Sequence, residues 1–181
     1  GFGTYTGSAT VSGNAYLGLF NDQSLSAQTT LTINDDGFLE LDGTHTYSGL
    51  SGNGGTFFMC ECATVTIDQD FDSTFAGEIT DDGSVTGATF IKAGSGRLML
   101  SGVSSHVGGT QVLGGTLAGT TNSLQGEIEN SATVEFDQDF SASFSGAISG
   151  TGVVVKSGTG ALTLSGGNTY SGGTTITAGT L

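Results

Sequence analysis

The sequence repeats itself without a gap. Lys92-Ala-Gly-Ser-Gly-Arg-Leu-Met-Leu-Ser-Gly102 and its continuation to Leu117 align with Lys156-Ser-Gly-Thr-Gly-Ala-Leu-Thr-Leu-Ser-Gly166 and its continuation to Leu181, at a constant offset of 64. Upstream, Ala63-Thr-Val-Thr-Ile-Asp-Gln-Asp-Phe71 aligns with Ala132-Thr-Val-Glu-Phe-Asp-Gln-Asp-Phe140 at an offset of 69. The earlier copy therefore holds five extra residues, expected around Asp81–Gly87. Fainter copies start the chain: Gly37–Gly49 aligns with Gly160–Gly172, and Thr4–Val11 with Thr169–Ile176. Equivalent positions are then Tyr5, Tyr47, His106 and Tyr170, separated by 42, 59 and 64 residues. These spacings approximate two, three and three times a unit of ~21 residues, the size of one solenoid coil.

Inside each unit, short apolar alternations are cut by glycine and small polar residues. Val65, Ile67, Phe71 and Val134, Phe136, Phe140 alternate with polar positions, as do Leu98, Leu100 and Leu162, Leu164. A period of two with glycine punctuation reads as strands and turns. Asn-Gly hairpin signals are nearly absent, which disfavours an antiparallel meander. The pattern predicts an all-β parallel β-helix of about 8–9 coils, one solenoid across 1–181, with a divergent stretch 1–62 and repeats over 63–131 and 132–181. At ~4.8 Å per coil the rod is roughly 40 Å long. Gln69 and Gln138 share the parity of Val65, Phe71 and Val134, Phe140. They either point inward as amide ladders along the axis, or sit exposed at an Asp-Gln-Asp corner.

Charge and composition exclude several functions. Seventeen acidic residues face only Lys92, Arg97 and Lys156, a net charge of −14. Nucleic-acid binding needs clustered Lys and Arg, so it is not expected. An anionic membrane surface would repel the chain, and no stretch approaches the ~18 apolar residues of a membrane span. High negative charge keeps a secreted protein in solution. Glycine fills 33 positions, but without the strict triplet period of collagen.

The stretch Lys156–Leu181, preceded by Phe-Ser-Gly-Ala-Ile-Ser-Gly-Thr-Gly up to Gly152, resembles the autotransporter-associated β-strand repeat of Gram-negative passenger domains. The resemblance covers 132–181 well, 63–117 less closely and 1–50 faintly. It implies a right-handed β-helix, type V secretion through the outer membrane, and a role at the cell surface in adhesion, aggregation, biofilm or display. A large C-terminal membrane barrel is absent from this stretch. A closely spaced cysteine pair also fits the family, because a long covalent loop would jam the secretion pore.

Candidate chemistry is sparse, and no catalytic, cofactor-binding or metal residues are assigned. Asp68, Asp70 and Asp72 would share one strand face, as would Glu135, Asp137 and Asp139, but neither set completes a calcium shell. Glycosidase chemistry needs two carboxylates facing across a cleft, whereas these acids recur with the repeat as an outer face would. His45 and His106 align with Asn168 and Tyr170, so they share no repeat position. Serine-hydrolase, Walker and zinc-protease motifs are missing. Cys60 and Cys62 would lie near ~6.8 Å apart in an extended strand, so a disulfide needs a bend there; two thiols are the other reading. The expectation is a non-catalytic extracellular stalk for adhesion, without cofactors, meeting host or bacterial surfaces. The alternative is a subunit that stacks head to tail with itself into a filament, since both ends read as open coils. A polysaccharide-active β-helix ranks last.

Overall fold

In the computed structural model, residues 7–20, 25–84 and 87–181 are described. Thr4 and Tyr5 of the expected first repeat lie outside these residues. The described residues contain no helix, and the strands stack in parallel into a β-solenoid of about eight turns.

Each turn runs over three faces. The first holds Thr44–Tyr47, Thr64–Asp68, Thr89–Ala93, Thr110–Val112, Ile128–Asn130 and Ile148–Ser149 as one six-stranded sheet. The second holds Ser73–Phe75, Arg97–Leu100, Thr116–Gly119, Thr133–Asp137, Val153–Ser157 and Thr174–Ile176. A bridge from Gly52 to Phe75 joins the second face to the earlier strands Ser8–Val11, Thr30–Ile33 and Gly49–Ser51. The third face is carried by Tyr16–Leu19, Phe38–Leu41, Thr56–Met59 and Glu78–Asp81, and later by Ala142–Phe144 and Leu162–Leu164.

Parallel register puts like on like. On the first face His45, Val65, Phe90, Thr110, Ile128 and Ile148 form one inward column. On the third, Leu17, Leu39, Phe57 and Ile79 stack in line. Phe57 meets Phe75 and Phe90 at 6.5 and 6.4 Å between ring centres, both edge to face, so three aromatic rings from three faces close the middle of the core. Each such buried side chain contributes roughly 1.5–3 kcal/mol by leaving water.

Turn length varies around the expected unit. Register partners Thr116 and Thr133 are 17 residues apart, Thr133 and Val153 are 20 apart, and Thr64 and Thr89 are 25 apart. The five extra residues thus fall in the turn that contains Asp81–Gly87, of which 85 and 86 lie outside the described residues. Buried Asp81 anchors this longer turn. Its carboxylate accepts from Gly83 N at 3.0 Å, from Ala88 N at 3.3 Å and from Val107 N of the next coil at 2.8 Å.

The repeat does not stack on itself. Three register steps lead from Phe90 through Thr110 and Ile128 to Ile148, and the strand that follows is Val153–Ser157 on the second face. Lys92 therefore lies on the first face and Lys156 on the second. An offset of 64 or 69 is three turns plus one face, not three units of ~21. The same sequence cassette closes two different corners of the solenoid.

That cassette has two coils. In the lower coil, Gln69 is fully buried: its Oε1 accepts from Leu50 N at 3.3 Å, and its Nε2 reaches the Phe71 carbonyl and Ser73 Oγ at 2.9 Å and the Arg97 carbonyl at 3.3 Å. Gln138 repeats this, accepting from Thr121 N at 3.0 Å and donating to the Phe140 carbonyl at 3.1 Å. Both glutamines are thus at a corner and buried, and each bonds main chain of its own turn and of the preceding coil instead of forming an amide ladder. Phe71 and Phe140 are 47% and 43% exposed, contrary to their expected inward parity. The chain turns immediately after each glutamine, so the strand alternation stops there. The Phe71 ring instead covers Gly49 of the preceding coil, where a Cβ would lie 2.4 Å from it.

In the upper coil a lysine faces the core. Lys92 stacks between Ile67 and Val112, and Lys156 follows Phe136, both with no exposed surface. The Lys92 ammonium donates to the carbonyls of Ala93, Gly94 at 3.1 Å and Gly114 at 3.3 Å. Lys156 donates to Ser157, Gly158 at 2.8 Å and Gln138 at 3.4 Å. Three donors thus meet three carbonyls, which offsets the cost of burying a cation. Burial pulls Lys92 below the ordinary lysine range, opposed by the charges of Asp68, Asp70 and Asp72. Gly94 and Gly158 hold φ of 72° and 74°, and a Cβ at either would strike the glutamine carbonyl below at 2.3 and 2.4 Å.

Replacing Lys92 by Met keeps the stem and strips the donors from three buried carbonyls. Lys92→Met is expected to lower stability by about 2–3 kcal/mol in urea unfolding. Arg97→Met, on the outer surface, is expected to cost less than about 1 kcal/mol.

Candidate functional site

The outer carboxylates bind coil to coil. Asp70 Oδ1 accepts from Ser95 N and Ser95 Oγ, both at 2.9 Å. Asp139 Oδ1 accepts from Thr159 N at 2.8 Å and Thr159 Oγ1 at 3.0 Å, the same contact in the second cassette. Asp72 accepts from Arg97 N at 2.8 Å, while Asp68 stands exposed. Glu135 and Asp137, two residues apart on one strand, clamp Arg97 at 2.9 and 3.4 Å. Glu135 also accepts from Ser157 Oγ at 2.7 Å. The acids that share a face in the sequence are thus spread over hydrogen bonds to neighbouring coils, and among the described residues no three His, Cys, Asp or Glu gather as a ligand set.

The two histidines are core groups. His45 Nε2 donates to the Asp42 carbonyl at 2.9 Å, and its Nδ1 accepts from the Tyr47 hydroxyl at 3.3 Å. Burial pushes the Tyr47 hydroxyl well above the ordinary range. His106 Nε2 meets Thr110 Oγ1 at 3.0 Å, and Tyr170 meets Thr174 Oγ1 at 2.6 Å, so the aligned pair keeps one contact with two chemistries. Burial lowers the His106 pKa, opposed by Asp81.

Cys60 and Cys62 do not lie on an extended strand. Ala63 N donates to the Cys60 carbonyl at 3.0 Å, and Cys62 has φ 63°, which makes residues 60–63 a tight turn. Cys60 Sγ donates to Glu40 Oε1 at 3.4 Å, and Tyr16 donates to Glu40 Oε2 at 2.6 Å. Burial, with help from Glu40 and the charges of Asp42 and Asp82, pushes the Cys60 thiol up to about 12. The Tyr16 hydroxyl is also raised to about 12, first by its bond to Glu40.

The outer surface of the first face carries a groove of about 340 Å³. Gly108, Gly109 and Ala147 leave its floor without bulk, and Gln111, Glu127, Glu129 and Ser149 stand along it. Glu127 and Glu129 are exposed and flank buried Ile128, so both carboxylates leave the same side of the strand. Gln111 is the register partner of Glu129. This groove was not legible in the sequence, because its residues come from four coils. Their only linear sign is the Glu-Ile-Glu alternation. The buried lysines did have a signal, since Lys92 and Lys156 keep the inward parity of Phe90 and Val154.

Hydrogen bonds from Ser95 and Thr159 hold Asp70 and Asp139 below their ordinary 3.8. A carboxylate whose folded pKa is depressed adds stability above its unfolded value and loses it as pH falls through the folded one. The Asp70→Asn/Asp139→Asn variant is expected to flatten the fall of the melting temperature below pH 3.8 relative to wild type. Thermal melts from pH 7 to pH 2 test this.

Comparison with known proteins follows the same residues. The passenger-associated-transport-repeat matches at 90–118 and 154–181, two copies that begin 64 positions apart. The adhesin BmaC autotransporter of Brucella suis biovar 1 (strain 1330) is 34% identical over 185 aligned residues, covering 83% of this chain. The chain spans 5% of that adhesin's length. No solved structure matches the chain. With two passenger-associated repeats set one face apart on a parallel solenoid, the chain is an autotransporter passenger repeat protein.

Proposed function

We propose that this chain is a non-catalytic passenger segment that carries surface adhesion for a Gram-negative bacterium. The likeness to an adhesin across 83% of the chain carries this reading. The physical chemistry supports it. Buried polar side chains such as Gln69, Lys92 and Asp81 are taken up by main-chain groups, so they serve the rod and not a reaction. Recognition is then left to the outer faces. One continuous solenoid, with segments 1–62, 63–131 and 132–181, fits this role. Head-to-tail filament growth rests on the chain ends alone, and among the described residues no internal feature favours it or polysaccharide cleavage. Beads coated with the purified segment are expected to adhere to host cells or matrix above the level of beads coated with an unrelated acidic protein. Equal adhesion of the two would overturn the reading.

The pairing of Cys60 with Cys62 belongs to the same proposal, since export places the chain in an oxidising space. Their turn supplies the bend that an extended strand lacks. Protein purified from the periplasm or medium is expected to resist thiol alkylation until it is reduced, as read by intact mass. Full alkylation without reduction would show two thiols.

A further inference from the structure

The three cations of this chain are all committed. Lys92 and Lys156 are buried on main-chain carbonyls, and Arg97 is clamped by Glu135 and Asp137. Among the described residues, no Lys or Arg of the same chain is therefore left for the acids of the first-face groove. The clamp on the second face shows what such a pair does when a guanidinium is at hand. Glu135 and Asp137 leave one side of a strand two residues apart, and Arg97 spans both at 2.9 and 3.4 Å. Glu127 and Glu129 repeat that spacing, but here they border a concave floor with no guanidinium of this chain between them.

We propose that the first-face groove, floored by Gly108, Gly109 and Ala147 and edged by Glu127, Glu129 and Gln111, is the docking site for an arginine side chain of a basic segment on a partner protein. The groove volume of about 340 Å³ admits a side chain with its flanking backbone. A planar guanidinium meets two carboxylates at once, whereas an ammonium acts as a point charge. Gln111, in register with Glu129, places an amide oxygen on the same side for a further N–H. The net charge of −14 draws basic segments toward the rod, and the groove selects among them by shape. The partner's role rests on the adhesion reading, while the groove's affinity can be measured apart from it.

The test uses the full chain, labelled with 15N, and an acetylated, amidated tri-arginine peptide. Shifts are expected to concentrate on Gly108–Gln111 and Glu127–Glu129, with tri-lysine binding more weakly. Glu127→Gln/Glu129→Gln is expected to weaken binding about five-fold, the size of two exposed ion pairs. The control Asp36→Asn/Glu78→Gln removes the same charge elsewhere on the surface and is expected to change binding less than two-fold, or about 0.4 kcal/mol. Equal loss in the two variants, shifts spread over the rod, or shifts centred elsewhere would overturn the proposal. Bead adhesion separates the two readings. Unchanged adhesion by the Glu127→Gln/Glu129→Gln segment removes the groove from adhesion and leaves the segment an adhesin. Absent adhesion by wild type removes the adhesion reading, while the peptide titration still decides the groove.

Discussion

Everything in this rod depends on the parallel backbone ladder between coils. Each strand finds its hydrogen-bond partners one turn earlier and one turn later, so a turn must return to the same face in register. Side chains can vary only within that rule. Turn lengths from 17 to 25 residues are accommodated at the corners, where strands stop and the ladder needs no continuity. The longest turn needs its own anchor, and the three main-chain bonds of Asp81 supply it.

Corners are where a solenoid has most main chain to satisfy. A bend turns carbonyls inward, away from both the ladder and water, and a buried unpaired carbonyl is costly. The glutamine and lysine of the repeat answer this need from two successive coils. Gln69 and Gln138 take main-chain N–H and carbonyl groups of the turn, and Lys92 and Lys156 collect carbonyls one coil above. Two of three cations in an acidic chain lie in the core because three carbonyls converge there. The aspartates beside each glutamine fasten the outside of the same bend to Ser95 and Thr159. With these groups committed to the scaffold, the recognition proposed above rests on outward-facing residues.

Much of the strand content was legible. Val65, Ile67 and Val134, Phe136 are inward as their alternation required, and the five extra residues fall in the turn where the two offsets placed them. The alternation misled where it crossed a corner. Phe71 and Phe140 keep the parity of the strand before them in sequence, but those strands have ended at Asp68 and Asp137. Cys60 and Cys62 fail as strand neighbours for a related reason, because a turn closes between them. His106 and Tyr170 align and keep one hydroxyl contact, a match that a comparison of residue types would pass over.

By itself, the sequence determined that this chain repeats and that its repeats are strands and turns. Those properties follow from residue type and period, which are local. Only the tertiary structure decided that successive copies sit one face apart, that the recurring lysine of each copy is a core residue, and that Gln111, Glu127 and Glu129 border one groove. Each of these depends on how many residues complete a turn. That number is set by the corners and varies from coil to coil, so a constant offset in sequence does not translate into a constant face in space.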